Sequence, residues 1–287
     1  MLLRILYLLL TTFVIHAEPL KLPANSIGYP AAGTRVAVTP CEYQGTKVHH
    51  MLYLPSNWEA GKSYPLIVEF TGNYSPASGS TGEVKDAALG FGLTGGKAIW
   101  LTLPNISKDG LKNEVTWWGN TQATIDYALK NVPRVYQQFG ADPKRIILCG
   151  FSRGAIGVSY LGLHNDNISK LWSGFVTHDH FDGVKQWRKP WGSPLTKYQK
   201  EATARLSRLN GRPVLICQNN STKETRNFLA GRIPLQNVTF LDIPISTIFP
   251  PFPNSITPHP HTDRWPLLPS PARDTARQWF QKATQTK

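Results

Sequence analysis

The chain is poor in cysteine, methionine and acidic residues, with 3 Cys, 2 Met and 18 Asp plus Glu among its 287 positions. An odd cysteine count excludes a framework in which every thiol is paired within the chain. Cys149 and Cys217 lie in apolar runs and read as buried free thiols, while Cys41 could pair with one of them though nothing forces it. Beyond residue 17 no apolar stretch is long enough to cross a bilayer. The shortage of acid leaves 31 Lys plus Arg in excess and a net charge of +13. No block of those cations alternates with aromatics, so a nucleic-acid partner is not expected. The densest group, Lys197, Lys200, Arg205, Arg208 and Arg212, reads as a solvated basic surface. Such a surface would attract an acidic polymer or a cell envelope. No internal repeat is visible, and no linker follows residue 34.

What is present begins with a leader. Residues 1–17 carry one charge, Arg4, then an apolar run over 5–15 and the small-residue ending Ile15-His16-Ala17. That pattern predicts a secretory signal peptide, a mature chain from about Glu18, and a secreted or periplasmic location with no stable membrane insertion afterwards. An uncleaved membrane anchor is the alternative use of the same run. Residues 18–34, rich in Pro, Gly and Ala, predict an extended lead-in, and 35–287 a single domain.

Within that domain the apolar patterning alternates between strands and helices. Segments 35–43 and 47–54 predict an antiparallel hairpin. Strands are expected over Tyr64–Phe70, 97–103, 145–149, 171–177, 213–217 and Val238–Ile243. Helices are expected over Thr121–Phe139, 195–209, 224–230 and 271–282, with Pro133 predicting a kink or a break in the first. Alternation of this kind predicts an α/β fold with a mostly parallel central sheet covered by helices on both faces.

The chemistry centres on Gly150-Phe151-Ser152-Arg153-Gly154, a G-x-S-x-G pentapeptide between an apolar strand and a helix. A tight strand-to-helix turn of this type projects its serine from the sheet edge. Serine is a poor nucleophile until a histidine, oriented by a third polar group, takes its proton. His261 lies after the last strand and before the last helix, where that base is expected, and is preferred over His259, which two prolines flank. The loop after 213–217 has no aspartate, so the third residue stays open among Asp179, Asp182, Asn220 and Glu224. Backbone N–H groups of Arg153 and of Thr71 or Gly72 are the expected oxyanion donors. His178, Asp179, His180 and Asp182 resemble a metal-ligand set, but His-x-His without a second motif reads as a polar loop, and no metal or cofactor is expected. Trp117 and Trp118 either line a substrate cleft or pack in the core or at the rim.

In element order over 35–282, and at Gly150-Phe151-Ser152-Arg153-Gly154 and His261, the chain resembles the α/β-hydrolase superfamily. Leu52-Tyr53-Leu54-Pro55 followed by Tyr64-Pro65-Leu66-Ile67-Val68 is similar to secreted carbohydrate-esterase and feruloyl-esterase-like members. The resemblance implies ester hydrolysis through an acyl-serine, on a small-molecule or polysaccharide-linked ester, without a metal. Two departures stand out. Phe70-Thr71-Gly72-Asn73 replaces the His-Gly pair of many relatives, and Asn219-Asn220 stands where an aspartate is usual. A catalytically weak binding protein on the same scaffold and a serine peptidase of the same fold are the alternatives. Nothing in the sequence sets an oligomeric state.

Overall fold

A computed structural model describes residues 18–187, 191–249 and 259–285, and the leader expected over 1–17 lies outside them. The chain enters through β1 (Asn25–Ser26), β2 (Arg35–Val38) and β3 (His50–Tyr53). Next come β4 (Tyr64–Phe70), α1 (Leu89–Thr94) and β5 (Ile99–Leu103), then a two-stranded excursion of β6 (Asn105–Ile106) and β7 (Asn113–Glu114). The second half runs α2 (Thr121–Phe139), β8 (Ala141–Phe151), α3 (Arg153–Tyr160), α4 (Asp166–Ser169) and β9 (Gly174–His178). It closes with α5 (Leu195–Leu206), β10 (Val214–Asn219), α6 (Lys223–Leu229), β11 (Val238–Ile243), α7 (Ile245–Ile248) and α8 (Pro271–Ala283).

Nine strands form one sheet in the order β1-β2-β3-β5-β4-β8-β9-β10-β11. Pairing is antiparallel from β2 to β3 and from β3 to β5, and parallel from β5 through to β11. The hairpin is therefore real but shorter than expected, because Cys41–Tyr43 turns into a 3-10 helix. Successive residues of β4 face opposite sides, as strand geometry demands. Leu66, Val68 and Phe70 join a core with Ile125 and Val132 of α2, whereas Ile67 joins the other core with Leu89 of α1 and Phe280 of α8.

Helix α2 is continuous through Pro133. A proline there removes one backbone hydrogen bond, at a cost of about 3 kcal/mol. Burial of Ile125, Tyr127, Ala128, Val132 and Val135 along one face outweighs it, since each large apolar side chain contributes about 1.5–3 kcal/mol. The helix is closed by the Asn120 side chain, which accepts from Ala123 N–H, and by Gly140 at φ 71°.

All three cysteines are free; Cys41 is exposed, and Cys149 and Cys217 are buried. In the basic group Lys197 and Lys200 are exposed as expected, but the three arginines depart from a solvated surface. Arg205 is sequestered against Asp182, Arg208 pairs with Asp166, and Arg212 donates to the carbonyls of Leu209 and Trp172. Their guanidiniums bind helices and loops together instead of lying free in water. Among the described residues no helix is long and apolar enough to cross a membrane.

Candidate active site

Strand β8 delivers Ser152 at φ 55° and ψ −116°, a conformation that side chains other than glycine rarely adopt. The turn is held because Ser152 N–H donates to His178 O at 3.0 Å. The flanking glycines have a steric cause. A Cβ on Gly154 would lie 1.9 Å from Phe70 O, and one on Gly150 would lie 2.2 Å from Gly154 O. No side chain fits at either place, so the strand and α3 can approach only with glycine there.

His261 reaches this turn from the far end of the sequence. The Ser152 hydroxyl donates to His261 Nε2 at 2.9 Å, and His261 Nδ1–H donates to Asp179 Oδ2. Asp179 follows β9 directly and sits at φ 71°. Its other oxygen accepts from Asn219 N–H at 3.3 Å. Burial alone would raise the Asp179 carboxyl, but the hydrogen bond from His261 and the surrounding imidazoles hold it below the usual aspartate range. Asn219 also donates from Nδ2 to Pro260 O at 3.0 Å, tethering the histidine loop. Two more ties fix that loop: His178 Nε2–H to Thr262 O at 2.9 Å, and Ala88 N–H to Asp263 Oδ2 at 2.9 Å.

The other sequence candidates for the acid lie elsewhere. Asp182 is fully buried and gripped by two bonds from Arg205, at 2.8 and 3.1 Å. Glu224 pairs with Lys185 on the surface at 3.1 Å. Asn220 donates its backbone N–H to Ile243 O at 2.8 Å, and no hydrogen bond joins its side chain to His261. His259 accepts the His261 N–H on its Nδ1, so it braces the loop without meeting Ser152. The four residues that resembled a metal set are divided among these separate partners, with the His180 ring tilted against His261 at 5.2 Å and edge-on to Trp187 at 4.7 Å. Burial and the neighbouring His261 depress the His180 imidazole to about 4.

On the opposite side of Ser152 lies the loop after β4. A Cβ on Gly72 would come within 3.0 Å of the Phe151 ring and 3.4 Å of Ser152 Cβ, so the Gly72 backbone runs close to the hydroxyl. Arg153 is the first residue of α3, where backbone N–H groups have no partner inside the helix. These groups lie beside Ser152, with Thr71 and Gly72 lining a cleft of about 370 Å³ that also touches Phe151, His261, Thr81, Asp86 and Arg264.

No family model matches the chain, and no curated protein matches it. Solved structures do. A ferulic acid esterase superposes with a TM-score of 0.50 at 12% identity, covering 88% of this chain and 96% of that one. A structure described as a putative dipeptidyl aminopeptidase IV from Bacteroides ovatus gives 0.53 at 16% identity, covering 86% and 35%. The chain has the α/β-hydrolase fold. It spans only 40% of the AtxE2 isopeptidase, to which it is similar with TM-scores of 0.48 and 0.49 at 15% and 14% identity.

Two features of this α/β-hydrolase fold escaped the sequence. The first is the Arg153 side chain. It is 2% exposed and donates to Thr71 O at 3.4 Å, Thr71 Oγ1 at 3.2 Å, Glu114 O at 3.3 Å and Trp117 O at 2.6 Å. The second is an aromatic wall. Trp117 stacks on Trp191 at 5.5 Å and meets Trp187 edge-on at 5.9 Å, so rings run from His261 through His180 to the tryptophans. The density of Trp and His over 178–191 was the available signal; which rings meet was not.

Proposed function

We propose that the chain is a serine esterase acting through an acyl-serine intermediate. The observation that carries this reading is the continuous path from Ser152 Oγ through His261, 2.9 Å away, to the Asp179 carboxylate. In the reaction, His261 Nε2 takes the Ser152 proton as Oγ attacks the ester carbonyl. Asp179 stabilises the resulting imidazolium. The backbone N–H groups of Arg153 and Gly72 receive the oxyanion, with Thr71 as the other donor on that loop. His261 then returns the proton to the leaving alcohol, and water releases the acid by the same steps in reverse order.

A carbohydrate-linked ester suits the surroundings. Thr81, Ser80, Asp86 and Arg264 line the cleft, and although the two hydroxyls donate to Asp86 Oδ2 and Asn73 O, their oxygens and the two charged groups would suit a polyhydroxylated alcohol. The aromatic wall of Trp117, Trp187 and Trp191, linked to His261 through His180, would give a substrate ring an apolar neighbour. The leader-like residues 1–17 support a secreted or periplasmic place of action. Ser152→Ala is expected to abolish hydrolysis of a short p-nitrophenyl ester while the circular dichroism spectrum stays that of the parent. Undiminished turnover in that variant rejects the reading.

A further inference from the structure

We propose that the buried Arg153 guanidinium is a positioning residue that aims the Gly72 N–H at the oxyanion by holding the Thr71 carbonyl. The proposal rests on the esterase reading. Three observations carry it.

The first is the cost of the side chain. A buried cation without a directly paired carboxylate is unfavourable, and Arg153 makes no direct ion pair among the described residues, with Glu114 near enough only to favour its charge. Its N–H groups go instead to backbone carbonyls and one hydroxyl on two loops flanking Ser152. A residue needed only to fill the space would carry no charge.

The second is peptide geometry. Thr71 C=O and Gly72 N–H belong to one planar trans peptide and point in opposite directions. A donor that draws the carbonyl inward therefore turns the N–H outward. Arg153 Nε provides that donor at 3.4 Å, and Nη2 secures the same residue through Thr71 Oγ1 at 3.2 Å. The Gly72 backbone in question is the one packed against Ser152 Cβ.

The third is the link to the rim. Trp117 is held at φ 53°, an unfavourable region for a large side chain. Its N–H donates to Asn73 Oδ1 at 2.6 Å, and its carbonyl accepts from Arg153 Nη1 at 2.6 Å. The loop carrying Thr71, Gly72 and Asn73 is thus tied to the Trp117 turn on both sides of one residue. Arg153 makes the oxyanion peptide and the aromatic wall a single unit.

The test uses the whole protein and three variants, Arg153→Met, Arg153→Lys and Thr71→Val. Each is titrated with a fluorophosphonate so that rates refer to reactive serines only. For Arg153→Met, kcat on p-nitrophenyl butyrate should fall roughly 10²–10³-fold, the usual loss when one oxyanion donor is removed. KM should stay within about threefold, because the lost interaction exists only in the transition state. Binding of a trifluoromethyl ketone, whose adduct carries the oxyanion, should weaken by the same factor as kcat falls. Arg153→Lys should recover part of both, since an ammonium can reach one carbonyl but lacks the fork. If Arg153→Met does not fold, Thr71→Val, which removes the hydroxyl that accepts from Arg153 Nη2 and donates to Gly82 O, should lower kcat and ketone affinity in parallel by a smaller factor. Unchanged kcat and unchanged ketone affinity in a titratable Arg153→Met or Thr71→Val variant overturn the proposal while leaving the esterase reading intact. A wild-type protein that neither hydrolyses the ester nor titrates overturns both.

Discussion

Strands β9 and β10 are parallel neighbours, paired from Val214 with Phe175 to Cys217 with His178, yet they finish differently. Beyond β9 stands Asp179, whose carboxylate meets the imidazole of His261. At the end of β10 stands Asn219, which touches no imidazole but gives its backbone N–H to Asp179 and its amide to Pro260 O. One strand end carries charge and the other holds that charge and the histidine loop in place. The contrast teaches that an expected acid can be absent from one strand because the adjacent strand presents it, with the amide left behind as a brace.

If that division is right, substitutions should separate cleanly. Asp179→Asn should lower kcat roughly 10⁴-fold, about 5 kcal/mol on the barrier, because an amide favours the wrong histidine tautomer. Because the carboxyl is held below the usual aspartate range, the parent should not lose Asp179 charge until the pH falls beneath that range. A pH profile of kcat for the two proteins checks both points. Asp182→Asn should instead act on stability. It breaks a buried pair with Arg205 whose carboxylate is 0% exposed, with an expected loss of about 3–5 kcal/mol in urea unfolding and little change in kcat. A large fall in kcat with intact stability would erase the distinction between the two aspartates. Asn219→Ala should cost about tenfold in kcat, about 1.4 kcal/mol, through loosening of the histidine loop. The double variant with Asp179→Asn should show a further loss of similar size, since alanine keeps the backbone N–H that faces position 179 and removes only the side-chain tie to Pro260 O. Glu224→Gln, at a pair with both partners more than half exposed, marks the bottom of the scale with near-zero effect.

How far the sequence could be read depended on the range of the forces involved. Tyr64–Phe70 and Val238–Ile243 match the expected strands end to end, because apolar runs bounded by turn residues are local signals. Helix α1 was invisible, since Gly90 and Gly92 suppress helix propensity. Packing requires them there: a Cβ would meet Trp100 at 2.7 Å or Pro266 at 2.8 Å. Ser152 stood out through its pentapeptide, and His261 through its place between the last strand and the last helix. The choice between Asp179 and Asp182 could not be read, because the two lie three residues apart on one loop and only tertiary partners distinguish them. The same holds for Arg153. Its position announced a backbone donor, but the destination of its guanidinium depends on loops 36 and 82 residues distant.

The most direct test of a nucleophilic Ser152 is to treat the purified protein with a fluorophosphonate at neutral pH and map the adduct by peptide mass spectrometry. The account predicts one stoichiometric adduct on Ser152, strongly suppressed by His261→Ala. An unlabelled folded protein, or an adduct on another residue, contradicts it.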